Sequence, residues 1–256
     1  MKRLVSLVLI LSFGCSPAIG CNSLFSTGPC TRILFIGNSY TYVNDLPTMF
    51  AELAGAGGHP IETGMSAQGG WALEDHVKSA DTIDTIKSSR WNYVVLQEQS
   101  EIPSVQDWRT QNMYPAARIL VQDIRDIGAA PIFFVTWAHS SGLPTAGMQN
   151  YQSMQFQIDA GYLGIAQELN VPESPVGFAW LELWRQDPQL NLWQADGSHP
   201  NEMGTYLAAC VFYSVIFRQS PEGLSFTAGL PAETAKLLQN IAAQTVLTDP
   251  QQWFLP

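Results

Sequence analysis

A serine hydroxyl becomes a nucleophile when a neutral imidazole takes its proton and a carboxylate on the far ring nitrogen fixes the imidazole's tautomer. Three residues of this chain have the types and spacing for that chemistry. Ser39 stands in Gly37-Asn38-Ser39-Tyr40, directly after the apolar run Ile33-Leu34-Phe35-Ile36. Asp196 and His199 lie three residues apart in Asp196-Gly197-Ser198-His199-Pro200. That separation lets the carboxylate accept the imidazole Nδ1 proton and leaves Nε2 free to face a serine. Each block also suits an ordinary structural role. Gly-Asn-Ser is turn and N-cap vocabulary, and Asp196 and His199 suit the turn ahead of an apolar helix over 203–217. His139, in Trp137-Ala138-His139-Ser140, is the rival base, but no carboxylate stands within a few residues of it in the downstream loop, whereas Asp196 stands beside His199.

These groups need a scaffold that brings residue 39 to residue 199. Residues 33–36 are apolar without interruption and rich in β-branched and aromatic types, as in a strand buried on both faces of a parallel sheet. Ser39 then lies at the strand's carboxyl end, where open α/β sheets bind ligands. The chain repeats the unit. Helical spacing over 46–55 leads to a second strand at 61–65, a helix over 73–86 to a third strand at 93–97, and a helix over 114–127 to a fourth at 131–136. A long helix over 151–169 precedes a short fifth strand at 176–178 and helical residues 181–184. Alternating strands and helices predict an α/β fold, a three-layer αβα sandwich on a five-stranded parallel sheet. Gly55-Ala56-Gly57-Gly58 follows a helix and has no lysine, so it is no phosphate loop. No Gly-x-Ser-x-Gly occurs, which gives no support to a strained nucleophile elbow. His76, in Glu74-Asp75-His76, reads as a solvated helix residue.

The Ser39 and Asp196-x-x-His199 blocks together resemble the SGNH hydrolase, or GDSL-like esterase, superfamily. The resemblance implies a flavodoxin-like strand order and no metal or organic cofactor. It also implies three oxyanion donors: the amide of Ser39, a glycine after the second strand, and an Asn side chain after the third. Gly69-Gly70 supplies the glycine, with Gly70 preferred. The third strand runs into Gln97-Glu98-Gln99-Ser100, which holds no Asn, so Gln97 or Gln99 would donate in its place. Its first block reads Gly-Asn-Ser where most members have Gly-Asp-Ser.

The expected activity is a serine esterase removing a small acyl group, acetyl first, the acyl size being implied by the superfamily. A lysophospholipase or thioesterase of the same fold, or a glycan-binding protein with a decayed site, are the alternatives. Eight tryptophans are many for 256 residues. Trp71, Trp137, Trp184 and Trp193 fall near the expected active edge and point to a carbohydrate ester, with Trp71, Trp137 and His139 as substrate-binding candidates.

Residues 1–20 read as a signal peptide: Met1-Lys2-Arg3, an apolar stretch over 4–13, then small residues. Residues 21–31 are a tether and 32–256 the catalytic domain. Gly14-Cys15 and Gly20-Cys21 approximate lipoprotein processing sites, so a lipid on Cys15 or Cys21 is the one route to a membrane. Otherwise Cys21 and Cys30 pair in an oxidising compartment. Either way the protein is expected outside the cytoplasm. Loss of the leader takes Lys2 and Arg3, leaving 10 basic residues of 12 against 22 acidic ones and moving the charge from −10 to −12. Such a surface repels nucleic acid and anionic membranes, so the partner expected is a small-molecule or glycan ester.

Overall fold

A computed structural model describes Cys21 and residues 30–255. Five parallel strands form one sheet in the order β2-β1-β3-β4-β5. They are β1 (Thr31–Gly37), β2 (Ile61–Ala67), β3 (Tyr93–Leu96), β4 (Ala130–Phe134) and β5 (Glu173–Ser174). Ile33, Leu34, Phe35 and Ile36 are wholly buried, as an uninterrupted apolar run at the centre of a two-sided sheet must be. Leu34 pairs with Gly64 of β2 on one side and Val94 of β3 on the other.

The helices are α1 (Ser39–Tyr42), α2 (Leu46–Ala56), α3 (Leu73–Lys78), α4 (Ala80–Ser88), a single turn α5 (Gln106–Trp108), α6 (Tyr114–Asp126), α7 (Tyr151–Leu169), α8 (Val176–Gln186), α9 (Glu202–Phe217) and α10 (Ala232–Leu247). A π-helical segment, Arg109–Met113, joins α5 to α6. On one face α2 packs on α9, and α9 on α8 and α10; on the other, α3 packs on α6 and α6 on α7. This is the expected αβα sandwich in the flavodoxin-like order. No helix among the described residues is long and apolar enough to cross a membrane.

The sheet is built outward in both directions from its middle: β1 is followed by β2 on one side and β3 on the other. The crossovers leaving β1 and β3 therefore diverge, opening a crevice at the carboxyl ends of those two strands. Ser39 follows β1 and the Gln97–Gln99 segment follows β3, so both meet at that crevice.

Three expected elements differ. The helix over 73–86 is two, because Ser79 leaves the helical conformation and its side chain caps α4 at the Thr82 amide. The fifth strand is the two-residue Glu173–Ser174; Val176-Gly177-Phe178 instead opens α8, directly after Pro175. The tether ends by Cys30, since Thr31 already pairs with Ile61, and Cys30 is disulfide-bonded to Cys21. That bond occupies the Cys21 sulfur a lipid would need. Cys15 and the expected leader over 1–20 lie outside the described residues.

Candidate active site

The loop from Trp193 to Pro200 brings the distant histidine to the serine. Trp193 and Pro200 form an antiparallel bridge, the Gln194 amide donates to the His199 carbonyl at 2.8 Å, and the Ser140 amide donates to the Gly197 carbonyl at 2.8 Å. Within it, Asp196 Oδ1 accepts the amides of Ser198 (2.9 Å) and His199 (3.0 Å), while Oδ2 lies 2.5 Å from His199 Nδ1. One carboxylate thus closes the turn and orients the ring. His199 Nε2 is 2.9 Å from Ser39 Oγ. With Nδ1–H donated to Asp196, Nε2 is the acceptor and the serine hydroxyl the donor. The ring N–H of His199, followed by the Ser198 amide, pulls the Asp196 carboxyl down to about 2.

Ser39 is free for this contact because its neighbour does the capping. Asn38 Oδ1 accepts the Tyr40 amide at 3.1 Å, and Asn38 Nδ2 donates to the Trp71 carbonyl at 2.9 Å. Ser39 is therefore the first residue of α1, where a backbone N–H has no intrahelical acceptor. Gly70 stands across the cavity at φ +76°, a left-handed conformation that glycine adopts without penalty. A cavity of about 310 Å³ is lined by Ser39, Tyr42, Gly69, Gly70, Gln99, Ser100, Ser198 and His199, among others.

The two glutamines after β3 part company here. Gln97 is fully buried and all its amide capacity is committed. Its Oε1 accepts the Asn38 amide (2.8 Å) and the Thr41 hydroxyl (3.0 Å); its Nε2 donates to Asn38 Oδ1 (3.0 Å) and the Glu98 carbonyl (2.5 Å). Gln97 is thus a strut beneath the nucleophile turn, and the expectation that it could donate to an oxyanion is corrected. Gln99 lines the cavity. Its Oε1 accepts the amides of Glu101 (2.8 Å) and Ile102 (3.2 Å), which turns Nε2 outward, with one long contact of 3.3 Å to Ser100 Oγ. One N–H of that amide has no partner among the described residues.

Sequence reasoning missed the groups that hold these donors. Glu98, fully buried, accepts the Leu73 amide (3.1 Å) and the Gln99 amide (2.6 Å) on one oxygen, tying the loop that carries Gly70 to the one that carries Gln99. Burial pushes its carboxyl up to about 8. His76 is not solvated as expected but fully buried: Nε2 donates to the Gly37 carbonyl at 2.8 Å, so Nδ1 accepts the Thr82 hydroxyl at 3.0 Å. Burial lowers its pKa and keeps it neutral. Neither gives a periodic signal: Glu98 lies in a short polar run after β3, and His76 sits among charged neighbours.

The substrate-binding candidates also move. Trp137 is wholly buried, stacked between Tyr40 at 4.5 Å and Trp180 at 4.1 Å, and its Nε1 donates to the Ser198 carbonyl. Trp193 packs edge-on to Trp180 and donates to the Ala138 carbonyl. These rings hold the histidine loop and cannot touch substrate. Trp71 turns its ring to His76. His139 sits behind the cavity wall, its Nε2 3.2 Å from Ser100 Oγ and its Nδ1 3.9 Å from a Glu101 oxygen. Trp184 packs against Tyr151. No cluster of three or more His, Cys, Asp or Glu able to hold a metal occurs among the described residues.

No family model and no curated protein matches this chain. Solved structures do. A protein from Slackia heliotrinireducens described as a candidate SGNH hydrolase is 28% identical at TM-score 0.63, covering 73% of this chain and 99% of its own. A DUF4886 family protein from Bacteroides uniformis is 21% identical at TM-score 0.71, covering 86% and 96%. A point mutant of an acetyl-xylooligosaccharide esterase from a Geobacillus species is 17% identical at TM-score 0.54, covering 78% and 97%.

Proposed function

The chain belongs to the SGNH, or GDSL-like, hydrolase superfamily of ester hydrolases, and from that premise we propose that it is a serine esterase removing small acyl groups from carbohydrate esters. The observation that carries this is the unbroken line of contacts Asp196 Oδ2 to His199 Nδ1 at 2.5 Å and His199 Nε2 to Ser39 Oγ at 2.9 Å. His199 takes the Ser39 proton as Oγ bonds to the ester carbonyl carbon. The negative charge then rests on the former carbonyl oxygen, facing the Ser39 and Gly70 amides and Gln99 Nε2. His199 returns the proton to the leaving alcohol as the C–O bond breaks. Water, deprotonated by the same imidazole, hydrolyses the acyl-enzyme and restores Ser39. Asp196 stabilises the imidazolium formed in each half.

A cavity of about 310 Å³ lies at the small end of ligand pockets and favours acetyl over a long acyl chain. The likeness to an acetyl-xylooligosaccharide esterase supports a sugar as the alcohol. Residues 1–20 are proposed to export the protein, and the Cys21–Cys30 disulfide is in keeping with an oxidising compartment. The test is hydrolysis of 4-nitrophenyl acetate and its longer homologues by the wild type, Ser39→Ala and His199→Ala. Acetate turnover lost in both variants is expected. Equal rates in all three proteins would end the esterase proposal.

A further inference from the structure

Resting on the esterase proposal, we infer that the alcohol side of the substrate is a sugar ring held in a second cavity beside the first, stacked on Trp108. The cavity, about 340 Å³, is lined by Ala72, Glu74, Asp75, Ile102, Trp108 and Asn112. It adjoins the nucleophile's cavity along two loops at once. Gly69 and Gly70 border the first cavity and Ala72 the second; Gln99 and Ser100 border the first and Ile102 the second. Two residues of extended chain span at most about 7 Å. In the inferred pose a sugar carrying its ester at Ser39 reaches across that short border into the second cavity. Glu98 pins those two loops together through the Leu73 and Gln99 amides, so the border is fixed in both.

The lining has the chemistry of a saccharide subsite. Trp108 is 43% exposed, unlike the buried Trp137, Trp180 and Trp193. The segment that carries it is anchored: it precedes the π-helical Arg109–Met113, and Arg109 Nη1 donates to the carbonyls of Pro103 (3.1 Å) and Gln157 (3.0 Å). An indole face takes the apolar C–H face of a pyranose, and equatorial hydroxyls then point to groups at the rim. Those groups are present. Glu74 is held by Lys78 at 2.6 Å and by Asn112 Nδ2 at 2.9 Å, and its charge is balanced by that lysine. Asp75 uses Oδ2 for the Ala72 amide at 2.9 Å, leaving Oδ1 to accept a hydroxyl. An exposed aromatic face beside hydrogen-bonding carboxylate and amide groups fits a polyhydroxylated ring, which has an apolar face and polar edges.

The test compares acetate release from peracetylated xylobiose and cellobiose with release from 4-nitrophenyl acetate, using the wild type, Trp108→Ala and Trp108→Phe. For Trp108→Ala, kcat/KM on the disaccharide acetates is expected to fall tenfold or more, mainly through KM. On 4-nitrophenyl acetate it should stay within twofold, and Trp108→Phe should keep most of the disaccharide activity. Equal losses on both substrate types, no loss on the disaccharides, or a wild type that cleaves only 4-nitrophenyl acetate would each overturn the subsite. Failure of the esterase proposal looks different: no Ser39-dependent turnover of any ester. The subsite is then read by quenching of tryptophan fluorescence with cellobiose, expected in the wild type and absent in Trp108→Ala; no quenching in the wild type overturns it.

Discussion

Gln97 and Gln99 are two residues apart and chemically identical, yet their replacement should have opposite effects. Truncating Gln97 to Ala removes four hydrogen bonds in a fully buried setting and strands the Asn38 backbone amide and the Glu98 carbonyl beneath the nucleophile. A buried polar group left without its partner costs about 1–3 kcal/mol, so the whole loss is about 3–5 kcal/mol. For a domain of this size that is a fall of about 10 °C in Tm. Gln99 needs a subtler change, because its Oε1 also holds the Glu101 and Ile102 amides. Gln99→Glu keeps that acceptor and replaces the donor with an anion. Loss of an oxyanion donor costs about 3–4 kcal/mol of transition-state stabilisation, or 10²–10³ in kcat. The expected pair is a cold-shifted melt for Gln97→Ala and an unshifted melt with at least 100-fold lower kcat on 4-nitrophenyl acetate for Gln99→Glu. Calorimetry and initial rates read both. A Gln99→Glu enzyme within threefold of wild-type kcat would refute the assignment of the donor.

Stability should fall as solution turns from neutral to alkaline. Burial raises the carboxyls of Glu98 and Glu173 to about 8, so in the native state each keeps its proton while the unfolded chain has lost it. Their contribution is complete below the ordinary glutamate value and is lost as pH climbs through about 8, on the order of several kcal/mol. His76 and His139 are lowered by burial and oppose further acidification, since their contribution is present above the ordinary histidine value and is lost as pH falls through the lowered one. Above the ordinary histidine value, about 6.5, the histidines add no further slope, so melting temperatures should fall from there to about pH 8, and Glu98→Gln should flatten that fall; a Tm rising steadily to pH 9 contradicts this. Gly70→Ala forces a Cβ into a left-handed conformation with open space around it, so kcat should drop at least tenfold with little change in Tm. A normal kcat would remove the Gly70 amide from the oxyanion hole. Gly37→Ala sets a Cβ against Gln97 Oε1 and Thr41 Oγ1, and soluble expression should collapse.

Much of this architecture was legible because it rests on periodicity. The run Ile33 to Ile36, the strand Tyr93 to Leu96 and the amphipathic α6 carry unbroken signals, and their alternation dictates a parallel sheet. The Asp196-x-x-His199 spacing was legible too, because both of its roles, closing a turn and orienting a ring, demand the same geometry. What was not legible depended on direction. A glutamine just beyond a strand points into the core or into the crevice according to backbone turns that composition does not encode, so Gln97 and Gln99 stayed equivalent. His76 read as solvated because Glu74, Asp75 and Lys78 surround it, yet helix α3 turns it inward onto the Gly37 carbonyl. The tryptophans were misjudged for a related reason. A loop that must hold His199 steady needs rigid packing behind it, and Trp137, Trp180 and Trp193 supply it. The tryptophan left exposed among the described residues, Trp108, lies in a segment with no recognisable motif. The two-residue strand Glu173–Ser174 is too short and polar to give any signal.

Whether Ser39 forms a covalent intermediate with help from His199 decides between a working triad and a decayed one. Exposure to a fluorophosphonate, followed by intact-mass measurement and peptide mapping, tests this directly. One phosphonyl adduct on the peptide containing Ser39 is predicted for the wild type, none for Ser39→Ala, and labelling slowed by at least 100-fold for His199→Ala. An unlabelled wild type, or an adduct on Ser100 or any other residue, would contradict it.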